Sequence, residues 1–365
     1  MTLEAMTELY LRRKEERLPR LERFFRGETN YLIVQRPAYH LWGRCNSVQE
    51  IVQNNWRHME SWLGLDWSDE LPHLQAWIGT GIFANAFGCE YLWREEEAPD
   101  SHVLFRSIEQ VRGLPYPDYR RSPVMRMALE AIDALKEEFG GRFPMALTDT
   151  QSPVDTATLV LDATEFFVAC YTHEELVREL LETITALIIE FSRVQRQRIG
   201  EAMVSKPGHV MPSLPSLRGI TLSDDNLAVS SPELNGKYSL PYNQKIAEAL
   251  GGVAIHSCGV WDHTMGLLPK YDVVGIDCSV HRDWDPTPMK PERVRDAMRG
   301  TGMVVKARMG GRIEEVLADL KRLAAPDLRL VVDIFRLEPD EGRYRAAAER
   351  NYKLAAESLA EQYGE

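Results

Sequence analysis

The order of elements predicts an α/β protein: a single (β/α)8 TIM barrel with an N-terminal helical extension over residues 1–30. Three observations predict it. Apolar, strand-like runs alternate with helical segments, the pattern of a parallel sheet built from βα units. Eight such runs can be counted. No glycine-rich phosphate loop follows the first of them, as an open doubly wound sheet usually shows; Gly251-Gly252 and Gly310-Gly311 are isolated pairs. The length of 365 residues suits one large barrel, and residues 1–365 read as one domain.

The chain opens with MTLEAMTELYLRRKEERLPR, which reads as an amphipathic, charged helix. Strands are expected over Tyr31–Arg36, His73–Gly79, Phe143–Thr150, Arg218–Asp224, Gly252–Cys258, Val273–Ser279, Gly302–Arg308 and Leu328–Phe335. Val124–Phe139 carries apolar residues at helical spacing and stops before Gly140-Gly141, a glycine stop signal. His173–Arg198 is a long apolar-periodic helix with Thr172 as its expected N-cap. Pro232–Leu250, Pro291–Arg299, Ile313–Ala324 and Glu341–Tyr363 complete the helices. The proline-bearing stretches Tyr91–Tyr119 and Lys206–Leu217 read as loop excursions on the barrel.

Composition narrows the functions. With 43 basic and 55 acidic residues the net charge is −12, a surface that repels phosphate backbones and anionic lipid. Nucleic acid and membrane are therefore excluded as expected partners, and a small-molecule substrate is favoured. No run reaches 18 apolar residues and the first twenty lack a signal peptide's apolar segment, so a cytoplasmic location is expected. Five cysteines, an odd number, do not suggest a disulfide framework. Cys45, Cys89 and Cys170 sit among apolar neighbours and read as packed small hydrophobes.

The most informative segment is His256-Ser257-Cys258-Gly259, at the end of the apolar run Gly252-Val253-Ala254-Ile255. Side chains on a strand alternate faces, so His256 and Cys258 point the same way and offer an imidazole and a thiol to a zinc-like ion. In such barrels the carboxyl ends of the strands build the active site. Those ends place Asp149, Asp224, Asp225, Cys278, Lys306 and Arg308 around the same mouth. Cys278, on the next strand, is the expected third metal ligand, although alternation allows only one of Asp277 and Cys278 to face the mouth. Asp224 and Asp149 are the expected catalytic carboxylates. Lys306, Arg308, Asp225 and Arg36 are the expected substrate-binding groups. A plain reading stands beside this one: a strand histidine is often a hydrogen-bonded core residue, and Asp224 and Asp225 can simply precede the helix start at Ser231-Pro232-Glu233.

Asp224-Asp225, Ser231-Pro232-Glu233, Leu240-Pro241-Tyr242, Ile255-His256-Ser257-Cys258-Gly259 and Val273-Val274-Gly275-Ile276-Asp277 form an ordered series. The series resembles the uroporphyrinogen decarboxylase superfamily, as do Ile78-Gly79-Thr80-Gly81, Phe87-Gly88-Cys89-Glu90 and Gln151-Ser152-Pro153-Val154-Asp155. The true decarboxylases carry an Arg-Gln-Ala-Gly-Arg-Tyr motif after the first strand; here that stretch is Gln35-Arg36-Pro37-Ala38-Tyr39-His40, which departs from it. The HxC pair is similar to that of the cobamide-dependent methyltransferases, which hold zinc through it and a distant cysteine. That resemblance implies a zinc-dependent methyltransferase moving a methyl group between a corrinoid on a separate partner protein and a thiol or small methylated substrate. In that branch the third thiolate follows the last strand, where this chain has no cysteine. Cys278, Asp333 or Glu338 would then substitute, or the zinc is lost. The alternatives are a cofactor-independent decarboxylase, with Arg36 or Arg44 gripping carboxylates, and a non-catalytic binding barrel. A homodimer is left open.

Overall fold

The structure is a computed structural model that describes residues 1–35, 45–94, 98–335 and 340–364. Arg36, Arg44 and Glu338, named above as substrate or metal groups, lie outside the described residues. All eight strand positions are realised as β1 Tyr31–Gln35, β2 Leu74–Gln75, β3 Met145–Ala146, β4 Ile220–Ser223, β5 Val253–His256, β6 Val273–Ser279, β7 Val304–Met309 and β8 Arg329–Ile334.

Six of them form one parallel sheet in the order β1-β8-β7-β6-β5-β4, and β2 pairs with β3 in parallel. The remaining seams are thinner. A bridge between Gln151 and Ser223 joins the chain after β3 to β4. Ile33 N–H donates to Asp69 Oδ2 at 2.7 Å, and Asp69 N–H donates to Ile33 O at 2.8 Å, tying β1 to the segment before β2. β2 and β3 are far shorter than their apolar runs, because most of those residues pack without forming a ladder.

Alternation sorts the strand residues into two cores. Ile33, Ile255, Ile276, Cys278, Val305, Ala307 and Val332 join the large cluster between sheet and helices. Leu32, Val34, Ala254, Val304 and Val331 point inward and pack with Leu21 and Phe24 of the N-terminal helix Leu3–Phe25 and with Val210, Met211 and Leu214. Each fully buried side chain of this size contributes about 1.5–3 kcal/mol. The N-terminal helix and the 205–217 segment thus fill the amino-terminal end of the barrel.

The helices follow the expected boundaries with one correction. Ser122 caps Pro123–Glu138 through Met125 N–H at 3.1 Å, and Gly140 and Gly141 after its end take φ of 59° and 61°. Thr172 does not cap the long helix. It ends a separate helix, Ala163–Thr172, and His173 precedes Glu174–Ile199. Pro232–Leu250 is helical throughout, with a π turn at Asn235–Ser239. Among the described residues, no helix is long and apolar enough to cross a membrane.

Candidate metal centre at the barrel mouth

Register sets the site. Ser223 pairs with His256, His256 with Asp277, and Asp277 with Lys306, so four inward side chains form one row across β4 to β7. Asp277 is wholly buried; burial alone would raise its pKa, but Arg308, Lys306 and His256 hold it well below the usual carboxylate range. A charged acceptor fixes the imidazole: His256 Nδ1–H donates to Asp277 Oδ1 at 2.6 Å, which leaves Nε2 facing Cys258 Sγ at 3.7 Å. A ligating histidine held by a carboxylate on its other nitrogen is the usual way a metal site orients its imidazole.

Asp225 completes the group. One ligand atom each from Asp225, His256 and Cys258 lies within 4.8 Å of the others. Asp225 Oδ1 accepts the Cys258 N–H at 2.7 Å, joining the turn after β4 to the turn after β5. Asp155 anchors the first of these turns, accepting from Asp225 N–H at 2.7 Å and from Asn226 N–H at 3.0 Å. Burial, then the neighbouring Asp224 and Asp225 carboxylates, push Asp155 well above the ordinary carboxylate value. Asp285 holds the second turn by accepting the Gly259 N–H.

Two cations sit beneath this group. Arg308 Nε lies 3.0 Å from Asp277 Oδ1, its Nη2 lies 4.0 Å from Cys258 Sγ, and its guanidinium stands 5.6 Å over the Trp284 ring. Lys306 Nζ lies 3.0 Å from Asp333 Oδ2 and 3.4 Å from Asp277 Oδ2, and donates to Val210 O. On the opposite wall Asp149 Oδ1 accepts from Ser223 Oγ at 3.1 Å, and Oδ2 accepts from Trp77 Nε1 at 3.3 Å. His209 Nε2 stands 3.5 Å from Asp149 Oδ1.

Several expectations are corrected. Cys278 cannot be the third ligand: it faces the helix layer, opposite to Asp277, and burial pushes its thiol up to about 12. Asp224 does not line the mouth; its Oδ2 accepts from Ser239 Oγ at 2.5 Å and from Asn243 Nδ2 at 2.8 Å, both on the helical segment behind β4. Lys306 is wholly buried between Asp277 and Asp333, so it is committed to the barrel and not open to substrate. Asp333 likewise serves Lys306. Sequence reasoning gave no role to Asp277, Asp155 and His209. Alternation from Gly275 already placed Asp277 or its neighbour inward, but His209 lies in a proline-rich excursion with no periodicity to follow.

The protonation of His256 yields a prediction for the metal-free protein. Burial opposes its charge, yet the hydrogen bonds with Asp277 and Cys258 prevail and push it up to about 10, from 6.5. A raised folded value stabilises fully below pH 6.5 and is lost as pH rises through about 10. Chelator-treated protein is therefore expected to lose urea stability between those limits, and His256→Gln to flatten that loss. An identical pH slope in both proteins would refute the ion pair.

Residues 78–205 match the uroporphyrinogen decarboxylase (URO-D) family. No curated protein sequence matches the chain. Among solved structures, a methyltransferase from Methanosarcina mazei superposes with a TM-score of 0.62 at 15% identity, covering 92% of this chain and 98% of that one. At that identity the likeness concerns the fold: the same barrel, traversed nearly end to end.

Proposed function

We propose, for a chain whose residues 78–205 match the uroporphyrinogen decarboxylase family and whose fold is similar to that of a solved methyltransferase, zinc-dependent methyl transfer between a corrinoid on a partner protein and a thiol or small methylated substrate. One observation carries this reading: the donor set of His256, Cys258 and Asp225. Tetrahedral zinc with ordinary bond lengths sets its nitrogen and sulfur ligands about 3.6 Å apart. The separation of His256 Nε2 and Cys258 Sγ is 3.7 Å before any ion draws them together. Imidazole, thiolate and carboxylate are all zinc ligands, and three protein ligands leave a fourth position for substrate. Zinc bound there would lower the pKa of a substrate thiol so that it reacts as thiolate at neutral pH.

The chain's own residues do the remaining work. Asp277 fixes the imidazole, Arg308 holds positive charge beside the Cys258 sulfur, and Asp155 and Asp285 clamp the two turns that bring Asp225 and Cys258 together. Close by in the sequence, Val229 and Val260 are exposed at 74% and 40%, apolar area suited to a corrinoid-bearing partner at the mouth. Decarboxylation of a polycarboxylate is less well supported. Among the described residues at the mouth, Arg308 is neutralised by Asp277 and Lys306 is shut inside the barrel.

The test is purified protein assayed for bound zinc and for demethylation of methylcobalamin by a panel of thiols. One zinc per chain and thiol-dependent demethylation are expected; a zinc-saturated protein inert towards every thiol and methyl donor would remove the proposal. Asp277→Asn, which keeps all three ligands, is expected to weaken zinc about 10- to 100-fold in chelator competition. Unchanged affinity would mean that Asp277 does not orient the imidazole.

A further inference from the structure

A cavity lies at the other end of the barrel. It encloses about 320 Å³ between Phe25 at the end of the N-terminal helix, Pro207, Met211 and Pro212 of the 205–217 segment, and the first residues of β6, β7 and β8. That volume is at the lower end for small-molecule sites. Its lining is mostly apolar, with two arginines.

The two arginines differ. Arg218 is engaged by Asp272, with both contacts at 2.9 Å. Arg329, half-buried and 5.0 Å over the Phe24 ring, has no carboxylate among its described partners. Its Nη2 donates to Phe24 O, its Nη1 makes a long 3.4 Å contact to Gly302 O, and its Nε is buried without a partner. Burial lowers its pKa, as expected for a guanidinium given no counter-charge. A partly desolvated cation that meets only carbonyls beside apolar walls gains from an anion placed against it.

The cavity is also joined to the mouth. Between Pro207 and Met211, which line it, His209 pairs with Asp149 and Val210 O accepts from Lys306 Nζ. His209 adopts φ of 54°, a left-handed backbone that a non-glycine residue holds only when its surroundings impose it. Gly275 admits the segment: a Cβ there would stand 2.9 Å from Met211 Cε and 2.7 Å from Val304 O.

We propose that the amino-terminal end of the barrel binds a small carboxylate with an apolar tail, the carboxylate on Arg329 and the tail against Phe25, Met211 and Val274. The bound molecule braces the 205–217 segment that supports the floor of the mouth. This site does not depend on the zinc reading.

Calorimetry on the full chain with hexanoate tests it, with acetate and 1-hexanol separating the roles of charge and tail. One hexanoate per chain is expected, with acetate and hexanol each at least tenfold weaker. Arg329→Gln should weaken hexanoate at least tenfold, Arg329→Lys should restore part of it, and Val274→Phe, which fills the cavity from a partly exposed wall, should abolish it. Amides of Gly208 to Met211 should gain hydrogen-exchange protection when hexanoate binds. Absence of saturable binding, hexanol binding as tightly as hexanoate, binding indifferent to Arg329→Gln and Val274→Phe in folded protein, or unaltered exchange of that segment would each overturn the proposal.

Discussion

Cys258→Ser is expected to strip the protein of zinc and to lower thiol-dependent methyl transfer by more than about 100-fold, with little change in the unfolding free energy of the metal-free protein. Loss of outer partners alone commonly costs metal sites 10- to 100-fold, and removal of a ligand should exceed that. The side chain is half-buried at the rim, so serine leaves no core cavity. Its main-chain N–H still reaches Asp225, which keeps the turn in place. Zinc content and transfer rate should therefore fall together, while the urea midpoints of the two proteins measured in chelator stay alike and only the parent gains stability when zinc is added. Full zinc occupancy in Cys258→Ser would sink the metal assignment; full activity without zinc would sink the mechanism while leaving the fold untouched.

Lys306→Met is expected to be the most destabilising single change at the site, by about 3–5 kcal/mol, the usual result of deleting one member of a buried ion pair. Two carboxylates lean on this ammonium, Asp333 at 3.0 Å and Asp277 at 3.4 Å, and all three side chains are wholly buried. Asp277 retains Arg308 and His256, whereas Asp333 loses the Lys306 charge that faces it. Lys306→Met combined with Asp333→Leu should therefore be more stable than Lys306→Met alone by at least about 1 kcal/mol, in line with buried pairs that tolerate apolar replacement. Urea unfolding of the four proteins decides it. Strict additivity of the two single changes would show that the pair is not energetically coupled.

Much of this was legible in the chain. The eight strand positions could be read because residues buried on both faces give near-continuous apolar runs. The period of two placed His256 inward without tertiary knowledge, whereas the expected strand stops at His256 and Cys258 reaches the same site from the turn beyond it. The third donor was not legible. Asp225 reaches the site because the turn after β4 leans over the turn after β5 and accepts the Cys258 N–H, a contact 33 residues apart in sequence. Asp224 and Asp225 are adjacent and chemically identical, yet one is buried against Ser239 and Asn243 while the other is exposed at the mouth.

Local sequence, through apolar periodicity and glycine stops, determined the barrel, its N-terminal helix and the imidazole at the end of β5 with a thiol two residues beyond it. Tertiary structure decided which charges serve chemistry and which serve the barrel. That choice depends on inter-strand register, which sets His256 beside Asp277 and Asp277 beside Lys306, and on a segment entering from the far end to place His209 and Val210 beneath them. Register and insertion are fixed by packing between residues distant in the chain, and a charge acquires its role from the partners that packing supplies.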